Sequence, residues 1–271
     1  MPLNGDGFGV GWYAPAVSPT PCVFRSITPA WNNRNLQSLA AHVSSPLFFA
    51  HVRAASPGMR VSEENCHPFA AGRYLWMHNG AIRGFDKVKR RLRGSLPDPV
   101  YNAVEGTTDS EHSFAVFLGL LGDADRRLSA KELGGTLVET IRWVEHWTEE
   151  VVVTAPSYFN FAVTDGESVA AVRYVSDPVL EPASLYYSAG KRYGCEDGVC
   201  RFSDGPPSER SVIIASERLT ETKGDWVRVA PNHVLTVGPG LEVGVELMDA
   251  VYLPSALSPR SAEILRVGPR G

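Results

Sequence analysis

Three short segments carry residue types that could do chemistry together. In Met77-His78-Asn79-Gly80, the Asn carboxamide and the following Gly N–H are two donors able to converge on an oxyanion. Asn-Gly is also the commonest tight-turn dipeptide, so a hairpin turn explains the segment taken alone. In Ala50-His51-Val52-Arg53, an Arg ends an apolar run. Such an Arg is either an ordinary surface residue or a guanidinium fork for a substrate carboxylate. Thr107-Thr108-Asp109-Ser110-Glu111 has the form of a capping box. Its Asp109 stands in the first helical turn and could also hold an ammonium. Arg53 and Asp109 together would then read the two ends of an α-amino acid.

Other chemistries fit less well. His51, Cys66, His67 and His78 have no zinc-ligand spacing. Cys195 and Cys200 lie five apart with no second pair. No metal and no cofactor is expected. No Ser sits in a nucleophile elbow, and no Gly-rich loop follows a strand to cradle phosphate. The opening Asn4-Gly-Asp-Gly-Phe-Gly-Val-Gly11 runs into Trp12-Tyr13 and reads as tight backbone packing.

The elements that must position these residues are strands at both ends and helices between. Apolar or alternating runs bounded by Gly, Pro or Asn predict strands at 8–13, 22–27, 47–53 and 73–78. A helix is expected over 35–43. Phe85, Val88, Leu92 and Leu96 fall at helical spacing. The basic residues of 87–93 then form its solvated outer face rather than a nucleic-acid patch. A helix should follow Thr108 as far as Leu121. Another should follow the Ser129–Glu132 box, with Leu133, Leu137, Ile141 and Val144 as its stripe. Strands return at 158–164 and 168–175 around Asp165-Gly166, and at 211–216 and 233–237. The stretch 190–207, rich in Gly, Pro and Asp, reads as a surface loop. Strands, paired helices and strands again predict a layered α+β fold.

Composition narrows the function classes. The 271 residues are 44% hydrophobic and 21% charged, with a net charge of −4, which argues against disorder and against a general nucleic-acid or membrane-surface binder. No apolar run approaches the roughly 18 residues of a membrane span. The N-terminus lacks the basic and apolar regions of a signal peptide. Four cysteines are no disulfide framework, so a reducing, cytoplasmic location is expected.

Taken in order, NGDGFGVGWY, ITPAWNNRNL, FAHVRAAS, NCHPF, MHNGAI, GTTDSE and IIASERLT resemble the class II glutamine amidotransferases. Within them, the chain is similar to the small stand-alone branch. That branch holds the fungal glutathione-degrading subunit and the γ-glutamyl hydrolase of ergothioneine synthesis. The resemblance implies a four-layer α/β/β/α N-terminal-nucleophile hydrolase fold over residues 1–253, followed by a weakly structured tail at 254–271. It implies cleavage of the side-chain amide of glutamine or of a γ-glutamyl compound. By position, Arg53 and Ser56 would hold the substrate carboxylate, and Asp109 the α-amino group. Asn79 and Gly80 would form the oxyanion hole, with His78 and His67 as active-site neighbours. A peptidase-like partner subunit is a family-level expectation.

One departure matters. The family's nucleophile is a Cys at the mature N-terminus, whose thiol attacks the amide while its α-amino group acts as base. Here Met1 is followed by Pro2. In the family NGDGFG lies a few dozen residues inside the domain, so the resemblance implies that the first strand, with its Cys, is missing. None of Cys22, Cys66, Cys195 and Cys200 becomes N-terminal without proteolysis. Three readings stay open: an amidohydrolase whose sequence starts late, a non-catalytic relative that keeps the pocket as a binding or regulatory subunit, or different chemistry such as Pro2 acting as an amine catalyst.

Overall fold

A computed structural model describes residues 4–55, 60–151, 155–222 and 224–251. The Gly-rich opening forms β1 (Phe8–Trp12), the middle strand of a three-stranded antiparallel sheet between β2 (Cys22–Ser26) and β3 (Phe48–Val52). Its glycines do what the sequence predicts. A Cβ at Gly9 would lie 2.2 Å from the His67 carbonyl oxygen, so only a bare backbone can rest there. Among the described residues β3 has a strand neighbour on one side only, and along it Phe48 is 66% and Val52 48% exposed. Between β2 and β3 runs α1 (Arg34–Ala40), capped by Asn33, whose Oδ1 accepts from the Leu36 N–H at 2.8 Å.

The larger sheet contains β4 (Phe69–Ala71), β5 (Tyr74–Ala81), β6 (Tyr158–Thr164), β7 (Val169–Val175), β12 (His233–Val237) and β13 (Val243–Leu247). Its order is β13-β12-β7-β6-β5-β4, antiparallel throughout. The middle of the chain supplies α2 (Phe85–Gly94), α3 (Asp98–Asn102), α4 (Asp109–Leu121) and α5 (Ala130–Glu150).

The stripe Leu133, Leu137, Ile141 and Val144 of α5 is fully buried, packed with Trp76, Phe161 and Val172 of the sheet. Each such side chain contributes about 1.5–3 kcal/mol by leaving water. On α2, Val88 and Leu92 are buried while the basic residues stay on the outer side. The opposite sheet face meets β1 and β3 through Leu75, Tyr13 and Phe49. It also meets a second sheet, β8 (Tyr186–Glu196), β10 (Ser211–Ala215) and β11 (Val227–Arg228), through Ala171, Leu235 and Leu185. Helices, sheet and a second β layer make the expected α+β sandwich.

Helix starts follow their caps. Ser129 and Glu132 complete a reciprocal capping box. Thr108 accepts from the Glu111 N–H at 3.2 Å, but Glu111 turns away to accept from the Glu105 N–H at 2.9 Å, so that box is one-sided.

Two expectations are corrected. Asn79-Gly80 is not a turn: β5 runs on to Ala81, with Asn79 opposite Asn160 and Gly80 opposite Phe159. Nor is 190–207 a loop. β8 pairs with β9 (Val199–Ser203), Cys195 stands across from Cys200, and the two form a disulfide. Tyr193 packs on Phe202 at 5.0 Å between ring centroids, and Phe202 on Trp226 at 5.3 Å. Turn-rich composition hid a hairpin held by cross-strand pairs. Ser56 and the tail 254–271 lie outside the described residues. Among the described residues no helix is long and apolar enough to cross a membrane.

Candidate active site

The ends of β3 and β5 and the start of α4 converge on one cavity of about 320 Å³. Arg53, His67, His78, Asn79, Gly80 and Asp109 all line it, so the described residues singled out from the sequence are brought together. His51, Ser110, Asn4 and Ser216 line it as well.

Arg53 follows β3 directly and is 4% exposed. Its backbone is fixed by mutual bonds: Arg53 N–H donates to the Gly7 carbonyl at 2.8 Å, and Asp6 N–H to the Arg53 carbonyl at 3.0 Å. The guanidinium makes two long hydrogen bonds, Nη1 to the Asp6 carbonyl at 3.5 Å and Nη2 to the Arg60 carbonyl at 3.4 Å. No carboxylate pairs with it among the described residues. Asp6 itself accepts from the Ala55 N–H at 2.9 Å, so the NGDG segment clamps the turn after β3.

Asp109 is the first residue of α4 and is 6% exposed. The positive end of the helix dipole favours a carboxylate there. Oδ2 accepts from the Ile82 N–H at 2.7 Å, which ties the exit of β5 to the helix. Oδ1 accepts from the Ser110 N–H at 2.9 Å. A carboxylate offers about four acceptor positions, so capacity remains. No cation pairs with Asp109 among the described residues. The cavity therefore holds one buried positive and one buried negative group that do not neutralise each other.

His78 is fully engaged by protein. Its Nε2 donates to the Tyr158 carbonyl at 3.1 Å, so Nδ1 accepts from the Ser110 hydroxyl at 2.9 Å in the neutral ring. This bond explains Gly80: a Cβ there would lie 2.0 Å from the Tyr158 oxygen and 2.7 Å from His78 Nε2. His51 and His67 pack ring on ring at 4.3 Å between centroids. Burial lowers the pKa of His51 to about 4, helped by His78 and Arg53. Burial holds His67 well below the ordinary value, and it lowers His78 too, against the pull of Asp109. The histidines therefore stay neutral at pH 7. Among the described residues no cluster of His, Cys, Asp and Glu is arranged to hold a metal ion.

No cysteine lines the cavity among the described residues. Cys22 is exposed on β2, and Cys195 and Cys200 are joined to each other. Cys66 is buried with Sγ directed at the Ser62 and Ser26 carbonyls, and burial pushes its thiol pKa up. Reading by motif missed Asp6, Ser110 and Ser216 as site residues. The available signal was adjacency, since each lies within a segment already singled out.

The family model for class II glutamine amidotransferases matches residues 3–253. A Saccharomyces cerevisiae protein described as "Probable glutamine amidotransferase DUG3" is 37% identical over 278 residues, covering 97% of this chain and 78% of the relative. A solved glutamine aminotransferase class-II domain protein from Silicibacter pomeroyi superposes with a TM-score of 0.66 at 29% identity, covering 90% of this chain and 91% of that one. The glutamine phosphoribosylpyrophosphate amidotransferase of Bacillus subtilis shares the fold alone, with a TM-score of 0.55 at 12% identity over 90% of this chain and 44% of that one. From strands, cavity and relatives alike, the chain belongs to the class II glutamine amidotransferases.

Proposed function

We propose that the cavity binds the γ-glutamyl group of glutamine or of a γ-glutamyl amide or peptide, including glutathione-type compounds. The observation that supports this most is the pair of buried, mutually unneutralised charges. Burying a lone guanidinium or carboxylate is costly unless a partner completes it. An α-amino acid head group completes both, its carboxylate on the Arg53 fork and its ammonium on Asp109. Asn79, whose side-chain amide makes no hydrogen bond among the described residues, is left to donate to the oxygen of the scissile amide, with Gly80 beside it. His78, its two nitrogens occupied, holds β5 against α4 rather than touching ligand. Ser56 would add a second carboxylate contact.

Hydrolysis of the amide further requires a nucleophile. In family logic it is a thiolate that attacks the amide carbonyl carbon and expels the amine. None of the four cysteines of this chain is placed to do so. The second reading is a binding or regulatory subunit that keeps the amino-acid pocket. A cytoplasmic setting, a place in glutathione metabolism and a peptidase-like partner subunit complete the proposal.

The test uses the 271-residue chain. Calorimetric titration should show L-glutamate and L-glutamine binding, while ammonia release from glutamine stays at background. Absence of binding would overturn the pocket assignment. Turnover abolished by alkylating one of the four cysteines would overturn the nucleophile argument.

A further inference from the structure

Away from the cavity, two sulfurs are joined where the local structure does not need them joined. β8 passes the end of its partner β10 at Lys191 and runs on as an arm paired with β9. At the tip, Asp197 (φ 52°) and Gly198 (φ 79°) form a two-residue turn with both residues in the left-handed region, a form that matches the twist of a hairpin. At the base, Lys191 pairs with Asp225 at 2.7 Å and Arg192 with Glu209 at 3.3 Å. Between tip and base, Tyr193, Phe202 and Trp226 pack ring against ring. Turn, rings and ion pairs together set the register of the arm.

The Cys195–Cys200 bond adds little to this. The two residues are 5 apart in sequence, and closing so short a loop removes little entropy from the unfolded chain. The tip is also accessible. Cys195 is exposed and Cys200 half-buried, and a Cβ at Gly194 or Gly198 would meet nothing within 4 Å. The pairing that sets Cys195 opposite Cys200 belongs to the ladder, so an opened bond leaves two thiols still facing each other. Such proximity makes reclosure effectively unimolecular.

We propose that Cys195 and Cys200 form a thiol–disulfide exchange site for low-molecular-weight thiols and their disulfides. An incoming thiolate attacks Sγ of the exposed Cys195. The bond to Cys200 breaks, and Cys200 leaves with the electron pair and takes up a proton. A second thiolate attacks the ligand sulfur of the mixed disulfide and releases Cys195, which is protonated in turn. Two small thiols become one disulfide, and their two electrons and two protons pass to the cysteine pair. In reverse, the Cys195 thiolate attacks an incoming disulfide and Cys200 displaces the bound half. The arm stays folded in both states.

The test uses the full chain and the cysteine–cystine couple. After an hour in about 5 mM cysteine, N-ethylmaleimide and peptide mass mapping should find Cys195 and Cys200 alkylated in more than about nine-tenths of molecules. The melting transition should stay cooperative and within a few degrees of the oxidised chain. Cystine, added after the cysteine is removed, should restore the bond. Alkylation seen only in denaturant, or reduction that unfolds the chain, would overturn the proposal. Exposed, unpaired Cys22 is an internal control. With cystine it should keep a mixed disulfide, whereas Cys195 should not accumulate one, because Cys200 displaces it. Equal accumulation at both would overturn the paired mechanism. Single variants separate the two sulfurs. Cys195 in Cys200→Ser should react with cystine about tenfold faster than Cys200 in Cys195→Ser. Equal rates would overturn Cys195 as the point of attack.

Discussion

Two buried arginines show how one fold treats the same charge in opposite ways. Arg173, on β7 in the larger sheet, is 0% exposed and saturated. Its Nε donates to the Ala183 carbonyl at 2.8 Å and Nη1 to the Val229 carbonyl at 2.9 Å. Nη2 meets Glu181 at 2.6 Å and the Pro182 carbonyl at 2.9 Å. Arg53 is almost as deeply buried, yet among the described residues its guanidinium makes two hydrogen bonds, of 3.4 and 3.5 Å, and meets no anion. The first ties the loop before β8 to the sheet. The second is a group whose complement must come from elsewhere. A buried charge with its bonds complete marks architecture, and one with its bonds incomplete is where the proposed ligand would be held.

The contrast can be broken most severely at Arg173. Arg173→Met should cost about 3 kcal/mol, because the Val229 and Pro182 carbonyls lose their donor while Glu181 keeps Arg228 and the Ala183 carbonyl keeps Asn160. Denaturant unfolding checks this, and a loss below 1 kcal/mol would erase the distinction. Arg53→Ala should do the reverse. Its effect on unfolding should stay within about 1 kcal/mol, while affinity for glutamate falls by roughly a hundredfold or more, since a bidentate charged contact is lost. Arg53→Lys should rescue little of it, because a point charge cannot replace the planar fork.

Acid should expose the cavity side next. The folded pKa values of His51, His67 and His78 lie below the ordinary histidine value. As pH falls below about 6.5, the unfolded chain takes up protons that the folded chain refuses, so stability is full above that pH and declines toward pH 4. The slope is at most about 1.4 kcal/mol per pH unit for each histidine. Melting temperatures at pH 7.5, 6 and 5 should fall in that order, and His67→Phe should flatten the decline. A melting temperature constant over that range would show that these rings protonate freely in the fold. The smallest effect belongs to the hairpin arm. Replacing Cys195 and Cys200 by Ser together removes a closure worth about 2 kcal/mol at most. It should lower the melting point by a few degrees and leave glutamate binding unchanged. A change in binding would mean that the arm and the cavity are mechanically linked.

The sequence showed its periodic elements plainly. The α5 stripe was readable because four leucine-like residues repeat at helical spacing and only one packing satisfies them. Arg53 and Asp109 were readable as a pair because charge type and position relative to strand end and helix start are local properties. Asn79-Gly80 was ambiguous for a physical reason. The same dipeptide suits a turn that needs positive φ and a strand that must leave room for His78 and the Tyr158 carbonyl, and only the neighbours distinguish them. β8 and β9 were missed because their pairing depends on Tyr193, Phe202 and Trp226 meeting across the sheet. Ser216 lay inside the singled-out IIASERLT segment, but its place at the cavity depends on packing against segments distant in sequence, which no local pattern shows.

The one-sided edge of β3 carries a consequence for the molecule in concentrated solution. An edge without a strand partner among the described residues, with Phe48 and Val52 exposed, is a template for another chain. The residues between them, Ala50 and His51, line the cavity. Two molecules meeting edge to edge would therefore cover each other's cavities. Self-association and occupancy of the cavity then become competing equilibria, so that the apparent affinity of any ligand held there falls as protein concentration rises.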